Sequence, residues 1–213
     1  MIGLPPDLKA YIEDHNLRLM PLMDELERET HWHTPYPQML SGKTQAAILY
    51  FLVRLTGARR VLEVGTFTGY ATLAMAQALH HEGRIVTIEH NSETLEIARK
   101  FFKKSGLNDK IDILQGDALD VLTTMDPFFD FIFLDADKER YPQYYPLLKK
   151  LLAPAGLWVT DNVLWSGKVL APSDEQTRGI ATFNEIAAND SSIEQVILPL
   201  RDGLMLLRHT NNS

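Results

Sequence analysis

Val61-Leu62-Glu63-Val64-Gly65-Thr66-Phe67-Thr68-Gly69-Tyr70 reads as a short apolar run, a glycine-punctuated turn and the opening of a helix. Val61–Val64 predicts a strand and Tyr70–Leu79 a helix launched by the turn. The pattern repeats downstream. Arg84–Ile88 reads as a strand, Ser92–Ser105 as a helix closed by Gly106, and Ile111–Leu114, Phe131–Leu134 and Leu157–Thr160 as further strands. Helices near Leu119–Thr124 and Tyr144–Leu152 separate them. A helix from about Asp174 to Ala188 precedes two last runs, Ile193–Leu198 and Leu204–Arg208, and Asp202-Gly203 between these predicts an antiparallel end to the sheet. Such alternation gives an α/β fold of right-handed βαβ units, with helices on both faces of a mostly parallel sheet.

Upstream, Pro5 to about Leu26 has helical spacing, with Pro21 at a start or break. Thr30-His31-Trp32-His33-Thr34-Pro35-Tyr36-Pro37 reads as an aromatic loop, and its two histidines as surface residues rather than a metal pair. Ser41 is placed to cap a helix that runs to about Leu55 and ends at Gly57. No repeat or linker divides the 213 residues, so one domain over 1–213 is expected, with residues 1–40 as a helical and loop region serving the substrate site or a dimer contact.

Composition narrows the chemistry. With 45% hydrophobic and 23% charged residues the chain is an ordinary globular one, and it has no apolar stretch of membrane-spanning length. Its start lacks the basic and apolar regions of a signal peptide, so a cytoplasmic location is expected. Zero cysteines exclude disulfides, thiolate metal sites and a cysteine nucleophile. The net charge of −7 opposes a broad nucleic-acid footprint, leaving room only for a local basic patch, and favours small-molecule substrates.

In an open parallel sheet the carboxyl ends of the strands face one crevice, where ligands bind. Gly65 and Gly69 have three residues between them, unlike the Gly-x-Gly-x-x-Gly fingerprint that admits a pyrophosphate. Phe67 in the middle, and Glu63 beside the turn, suit an uncharged or zwitterionic moiety whose ammonium the acid accepts. Glu89, 24 residues after Gly65, is either a bidentate acceptor for two ribose hydroxyls or a solvated cap for the next helix; the turn ahead of it favours ribose. Asp117, after Gly116, either accepts from an adenine amino group or caps its helix.

Asp135 and Asp161-Asn162 directly follow apolar runs, Phe131–Leu134 and Leu157–Thr160. Two carboxylates and an amide carbonyl are hard donors that suit Mg²⁺, and the set holds no histidine or cysteine for zinc. Lys138 lies three residues beyond Asp135. A lysine with an ordinary pKa near 10.4 is a poor base at neutral pH, but burial and a neighbouring divalent cation would both lower it.

These residues resemble a known family, the cation-dependent, S-adenosylmethionine-using O-methyltransferases of the caffeoyl-CoA and catechol type. The resemblance runs from about Ser41 to Arg208 and is carried by Leu62–Tyr70, by Leu134-Asp135-Ala136-Asp137-Lys138, by Asp161-Asn162-Val163-Leu164-Trp165-Ser166-Gly167 and by Leu198-Pro199-Leu200-Arg201-Asp202-Gly203. It implies a class I methyltransferase, Rossmann-like, with a seven-stranded sheet whose last strand is antiparallel, and commonly a homodimer. It implies donor contacts at Ser41, Glu63, Gly65, Thr66, Ala71, Glu89, Ala118 and Asp135, metal ligands at Asp135, Asp161 and Asn162, and Lys138 as general base. Ala71 departs from the pattern, standing where many relatives have serine. Asp137, Trp165 and Asp202 are the candidates for the acceptor side: Trp165 walls an aromatic ring or simply packs, and Asp202 orients the acceptor or shapes a hairpin.

The implied reaction is in-line methyl transfer to an oxygen of a hydroxylated aromatic such as a catechol or caffeoyl ester. Opposite charges on sulfur and oxygen cancel in the transition state, so a dry, oriented site accelerates it. Mg²⁺, with Mn²⁺ or Ca²⁺ as substitutes, would hold two adjacent oxygens. Within the same fold, a tRNA wobble 5-hydroxyuridine methyltransferase is the alternative. A nicotinamide-dependent dehydrogenase is opposed by the missing middle glycine, and a non-catalytic binding module by the presence of both acids and Lys138.

Overall fold

A computed structural model describes residues 5–210. In chain order the elements are α1 (Pro6–His15), α2 (Leu22–His33), α3 (Gly42–Thr56), β1 (Arg60–Val64), α4 (Tyr70–Ala78), β2 (Arg84–Glu89), α5 (Ser92–Ser105) and β3 (Ile111–Gln115). There follow α6 (Ala118–Thr123), β4 (Phe129–Leu134), α7 (Tyr141–Leu151), β5 (Leu152–Thr160), α8 (Glu175–Asn189), β6 (Ile193–Leu198) and β7 (Leu204–His209). The seven strands form one sheet of order β3-β2-β1-β4-β5-β7-β6. Parallel pairs join β1 to β2, β2 to β3 and β4 to β5, while β7 runs antiparallel to β5 and β6. This is the expected class, including its antiparallel last strand.

Packing divides the chain into two compact units, one reaching to Ala118 and one starting at Leu119. In the first, Val61, Leu62 and Val64 are fully buried, as an apolar strand in a parallel sheet requires, and Glu63 is buried among them. The Asn91 side chain caps α5 by accepting from the Glu93 and Thr94 amides, and Leu95, Ala98, Phe101 and Phe102 form its buried stripe. The Phe102 ring lies where a Cβ at position 69 would be, and Gly69 has φ 87°; space and backbone both demand glycine there. In the second unit, Tyr145, Trp158 and Phe183 form an aromatic cluster with ring centroids 5.4 to 5.7 Å apart, and the Asp174 carboxylate caps α8 through the Thr177 amide at 2.8 Å.

Two expectations are corrected. The aromatic loop starts at Thr34, because α2 carries Thr30, His31, Trp32 and His33. Met23, Leu26 and Thr30 share its buried face, and Thr34 is extended, as the residue before a proline prefers. The start or break expected at Pro21 is present: α1 ends at His15, and Pro21 stands at the N-terminal cap of α2. Strand β5 begins at Leu152, five residues early, with an irregular register opposite Phe129 and Phe131 that accommodates Pro154. Among the described residues no helix is long and apolar enough to cross a membrane.

Candidate active site

At the end of β1 the Gly65 and Thr66 amides both donate to the Ile88 carbonyl, at 3.0 and 3.2 Å, fastening the turn to the end of β2. Phe67, left-handed at φ 51°, sends its N–H to Glu89 Oε2 at 2.8 Å. Glu89 Oε1 accepts from the His90 and Asn91 amides at 2.9 and 3.0 Å. A carboxylate has about four lone-pair positions, so the open capacity lies on Oε2. Three amides thus fix the Glu89 carboxylate at the mouth of the turn. The capping alternative belongs to Asn91 instead.

Beneath the turn, Glu63 is fully buried. Its Oε2 accepts from the Thr72 hydroxyl and, at 2.5 Å, from the Thr87 hydroxyl; Thr87 in turn lies 2.5 Å from the Thr66 hydroxyl. Glu63 thus grips the turn from the inside. Thr68 meets Thr30 of α2 at 2.9 Å, both fully buried, so α2 is tied to the same turn. Ala71 is buried in the first turn of α4, whose leading amides have no intrahelical partner. Ser41 is buried at the start of α3, but its backbone is helical and its hydroxyl makes no capping bond, contrary to the expected cap. The Gly116 amide donates to the Glu89 carbonyl at 3.0 Å, bringing exposed Asp117 and half-buried Ala118 to the end of β2.

In the second unit, Leu134 and Thr160 are register partners on β4 and β5. The next residue on each strand is Asp135 and Asp161, and the Asp161 amide donates to the Leu134 carbonyl at 3.0 Å. Adjacent strands run about 4.8 Å apart, so the two acids stand side by side at one level. Asn162 follows in the left-handed region, φ 62°, and its amide donates to Asp161 Oδ1 at 2.7 Å. Asp161 is 3% exposed, a depth at which a carboxylate needs a positive or donor partner. Two side-by-side acids and an adjacent amide carbonyl fit a hard divalent cation.

Lys138 Nζ sits 2.6 Å from Asp135 Oδ1, 3.0 Å from the Ala136 carbonyl and 5.1 Å from the centre of the Tyr141 ring. Burial pulls its pKa down; Asp135 first, then Tyr141 and Asp161, outweigh burial and hold it above the ordinary lysine value. The burial half of the sequence expectation is present, and the neighbouring carboxylates work against it. Asp137 is exposed and opens the short turn Lys138–Arg140. Half-buried Trp165 donates its amide to the Asp202 carbonyl at 3.3 Å, and Asp202 Oδ1 accepts from Ser166.

Sequence reasoning missed several supports. Gly179 of α8 lies against Lys138: an added Cβ would strike the Lys138 carbonyl and sit 2.7 Å from Glu139 Cα. Asn184, further along α8, donates to the Val163 carbonyl at 2.7 Å. Tyr141 OH donates to the Asp161 carbonyl at 3.1 Å. A glycine inside a helical pattern was the one visible signal among these.

The family model described as O-methyltransferase matches residues 13–210. Caffeoyl-CoA O-methyltransferase 2 of Zea mays is 36% identical, over 95% of this chain and 82% of that protein. The chain belongs to the O-methyltransferase family. Among solved structures, the O-methyltransferase TomG from Streptomyces achromogenes, involved in tomaymycin synthesis and crystallised with S-adenosylmethionine, superposes with a TM-score of 0.90 at 30% identity over 96% of both chains. The O-methyltransferase from Bacillus cereus in complex with S-adenosylhomocysteine gives 0.88 at 29% identity, covering 96% of this chain and 97% of that one. As an O-methyltransferase the chain has the class I, Rossmann-like sheet, and the dehydrogenase and non-catalytic readings fall.

Proposed function

We propose that this O-methyltransferase transfers a methyl group from S-adenosylmethionine to one hydroxyl of a catechol-like or caffeoyl-type aromatic, with a divalent cation, Mg²⁺ in preference to Mn²⁺ or Ca²⁺, held by Asp135, Asp161 and Asn162. The observation that carries it is the β4–β5 register, which sets Asp135 beside Asp161. The bound donor of TomG and the caffeoyl-CoA relative support the two substrates. When bound, the donor supplies an electrophilic methyl and the cation acidifies the acceptor hydroxyl.

The chain's own residues do the rest. Glu89 Oε2 receives a ribose hydroxyl; the Gly65–Gly69 turn, braced by Glu63, and the Ala71 amide with Ser41 receive the amino-acid end. Asp117 and Ala118 border the adenine. Lys138 is the group placed to take the acceptor's proton, and to do so it must be neutral, which requires the Asp135 charge to be committed to another partner. Trp165 flanks the aromatic ring, and Asp137 lies on the same loop as Lys138. Strongly exposed Phe51 and Leu55 on α3 support a homodimer, and a cysteine-free chain suits the reducing cytoplasm. The comparisons lend nothing to the tRNA alternative.

Radiolabelled methyl transfer over vicinal diphenols, acyl-CoA thioesters and hydroxylated tRNA, with and without divalent ion, tests this directly. Ion-dependent labelling of diphenols or thioesters is expected. Full activity in a metal-free preparation, or labelling confined to tRNA, would refute it.

A further inference from the structure

Segment Asn162–Gly167 has a backbone that needs outside support. Asn162, Trp165, Ser166 and Gly167 all lie in the left-handed region, at φ 62°, 45°, 54° and 81°. Three of the four are not glycine, and such residues persist only where surrounding contacts over-determine them. The contacts come from the turn between β6 and β7. The Val163 amide donates to the Gly203 carbonyl at 3.2 Å, and the Leu164 and Trp165 amides donate to the Asp202 carbonyl at 2.7 and 3.3 Å. The Ser166 amide and hydroxyl donate to Asp202 Oδ1 at 3.2 and 2.9 Å. Four consecutive amides, 163 to 166, are thus taken by two residues. The approach is close: a Cβ at Gly203, itself at φ 89°, would lie 2.5 Å from Leu164 Cγ.

We propose that Asp202 is a positioning residue that fixes the Trp165–Ser166 strap beside the metal ligands, and so determines which aromatic acceptors fit, without itself contacting the acceptor. This rests on the function proposed above. Of the five bonds in the clasp, the two to Ser166 depend on the Asp202 side chain; the other three are backbone bonds that hold while the turn keeps its shape. Removing the carboxylate frees Ser166 and leaves Trp165 strained without its neighbour's anchor. The direction of the Trp165 ring is then no longer unique. A neutral Asn keeps an oxygen in the Oδ1 place, able to accept from both Ser166 donors.

The test compares wild type, Asp202→Ala, Asp202→Asn and Ser166→Ala by acceptor kinetics, calorimetric binding of S-adenosylhomocysteine, and amide hydrogen exchange. For Asp202→Ala, the acceptor KM should rise about tenfold and the ranking among diphenols should flatten, with cofactor affinity held and faster exchange confined to 163–167. Asp202→Asn should recover wild-type behaviour, and Ser166→Ala should give a smaller shift in the same direction. Equal damage from Asp202→Ala and Asp202→Asn would assign the charge a direct role with the acceptor and overturn positioning. Faster exchange without any change in acceptor KM would leave only a structural clasp, and unchanged exchange would remove the clasp itself; either overturns the proposal. Should wild type methylate no diphenol or thioester, the proposed function falls, and the acceptor role of Asp202 falls with it, while the exchange data still report on the clasp independently.

Discussion

The glycine turn after β1 and the tips of β4 and β5 both place carboxylates at strand ends, but they hold them in opposite ways. Glu89 is held by three backbone amides and Glu63 by two threonine hydroxyls, all neutral donors. Such bonds fix the geometry of the acceptor oxygens. Asp135 is instead paired with the Lys138 ammonium at 2.6 Å, which cancels its charge. The first region is preformed for a ligand that donates hydrogen bonds. In the proposed function the second gives up this lysine cation for a divalent one. Loss of metal should therefore be felt in one region and barely in the other.

The largest effect follows from that contrast. Asp161→Ala, or EDTA treatment of the wild type, should lower turnover about a thousandfold or more. Calorimetric affinity for S-adenosylhomocysteine should stay at its wild-type value. A parallel collapse of cofactor binding would mean that the two regions are not independent, and the comparison would break.

Gly179→Ala comes next. Alanine is the better helix former by about 1 kcal/mol, so propensity alone predicts a stabler α8. The added Cβ must displace the Lys138–Glu139 backbone, and misplacement of a reacting group by about 1 Å costs roughly a hundredfold in kcat. Turnover measured at saturating donor, with thermal melting alongside, separates the two. Unchanged kcat would show that α8 does not set the position of Lys138.

On the other side of the comparison, Glu89→Gln tests a carboxylate that faces donors from two directions. An amide NH₂ must then meet either the Phe67 N–H or the His90 and Asn91 N–H groups, donor against donor. Donor affinity should weaken about tenfold while kcat at saturation holds. A fall in kcat with affinity intact would place Glu89 in the chemistry and not in binding.

The succession of strands and helices along the chain, the glycine turn and the pair of acids were legible because each rests on local patterning: apolar runs of strand length, and polar residues immediately after them. Asp135 and Asp161 could be paired from sequence because a parallel register needs only two strands of known end. Thr30 to His33 misled, because two nearby prolines and a run of polar and aromatic residues resemble a loop while the buried stripe of Met23, Leu26 and Thr30 continues a helix. Thr72 and Thr87 were not legible as Glu63 partners, nor Asn184 as a support of Val163, since a side-chain bond across 9 to 24 residues leaves no periodic trace. The sign of the Lys138 shift was equally hidden, because it depends on which of two opposing influences is nearer.

A third carboxylate, outside both regions, shows what purely structural anchoring looks like and gives the smallest effect. Asp190, just after α8, accepts from Tyr145 OH at 3.0 Å, Lys149 Nζ at 2.5 Å, and the Ser192 amide and hydroxyl at 3.0 and 2.7 Å. Partial burial pushes its pKa up, but the Lys149 and Ser192 bonds outweigh it, and the group lies well below the ordinary 3.8. The unfolded chain therefore takes up the proton first as pH falls. The stability Asp190 contributes is complete above the unfolded value and is lost as pH drops toward the folded one. Asp190→Ala should cost about 2 kcal/mol at pH 7, a drop of about 5 °C in melting temperature, with turnover at 25 °C unchanged. Between pH 4 and pH 2 the melting curves of variant and wild type should converge, because protonation removes from the wild type what the substitution removes from the variant. A gap that stays constant with pH would mean that packing around the side chain, and not its charge, is what α7, α8 and β6 rely on.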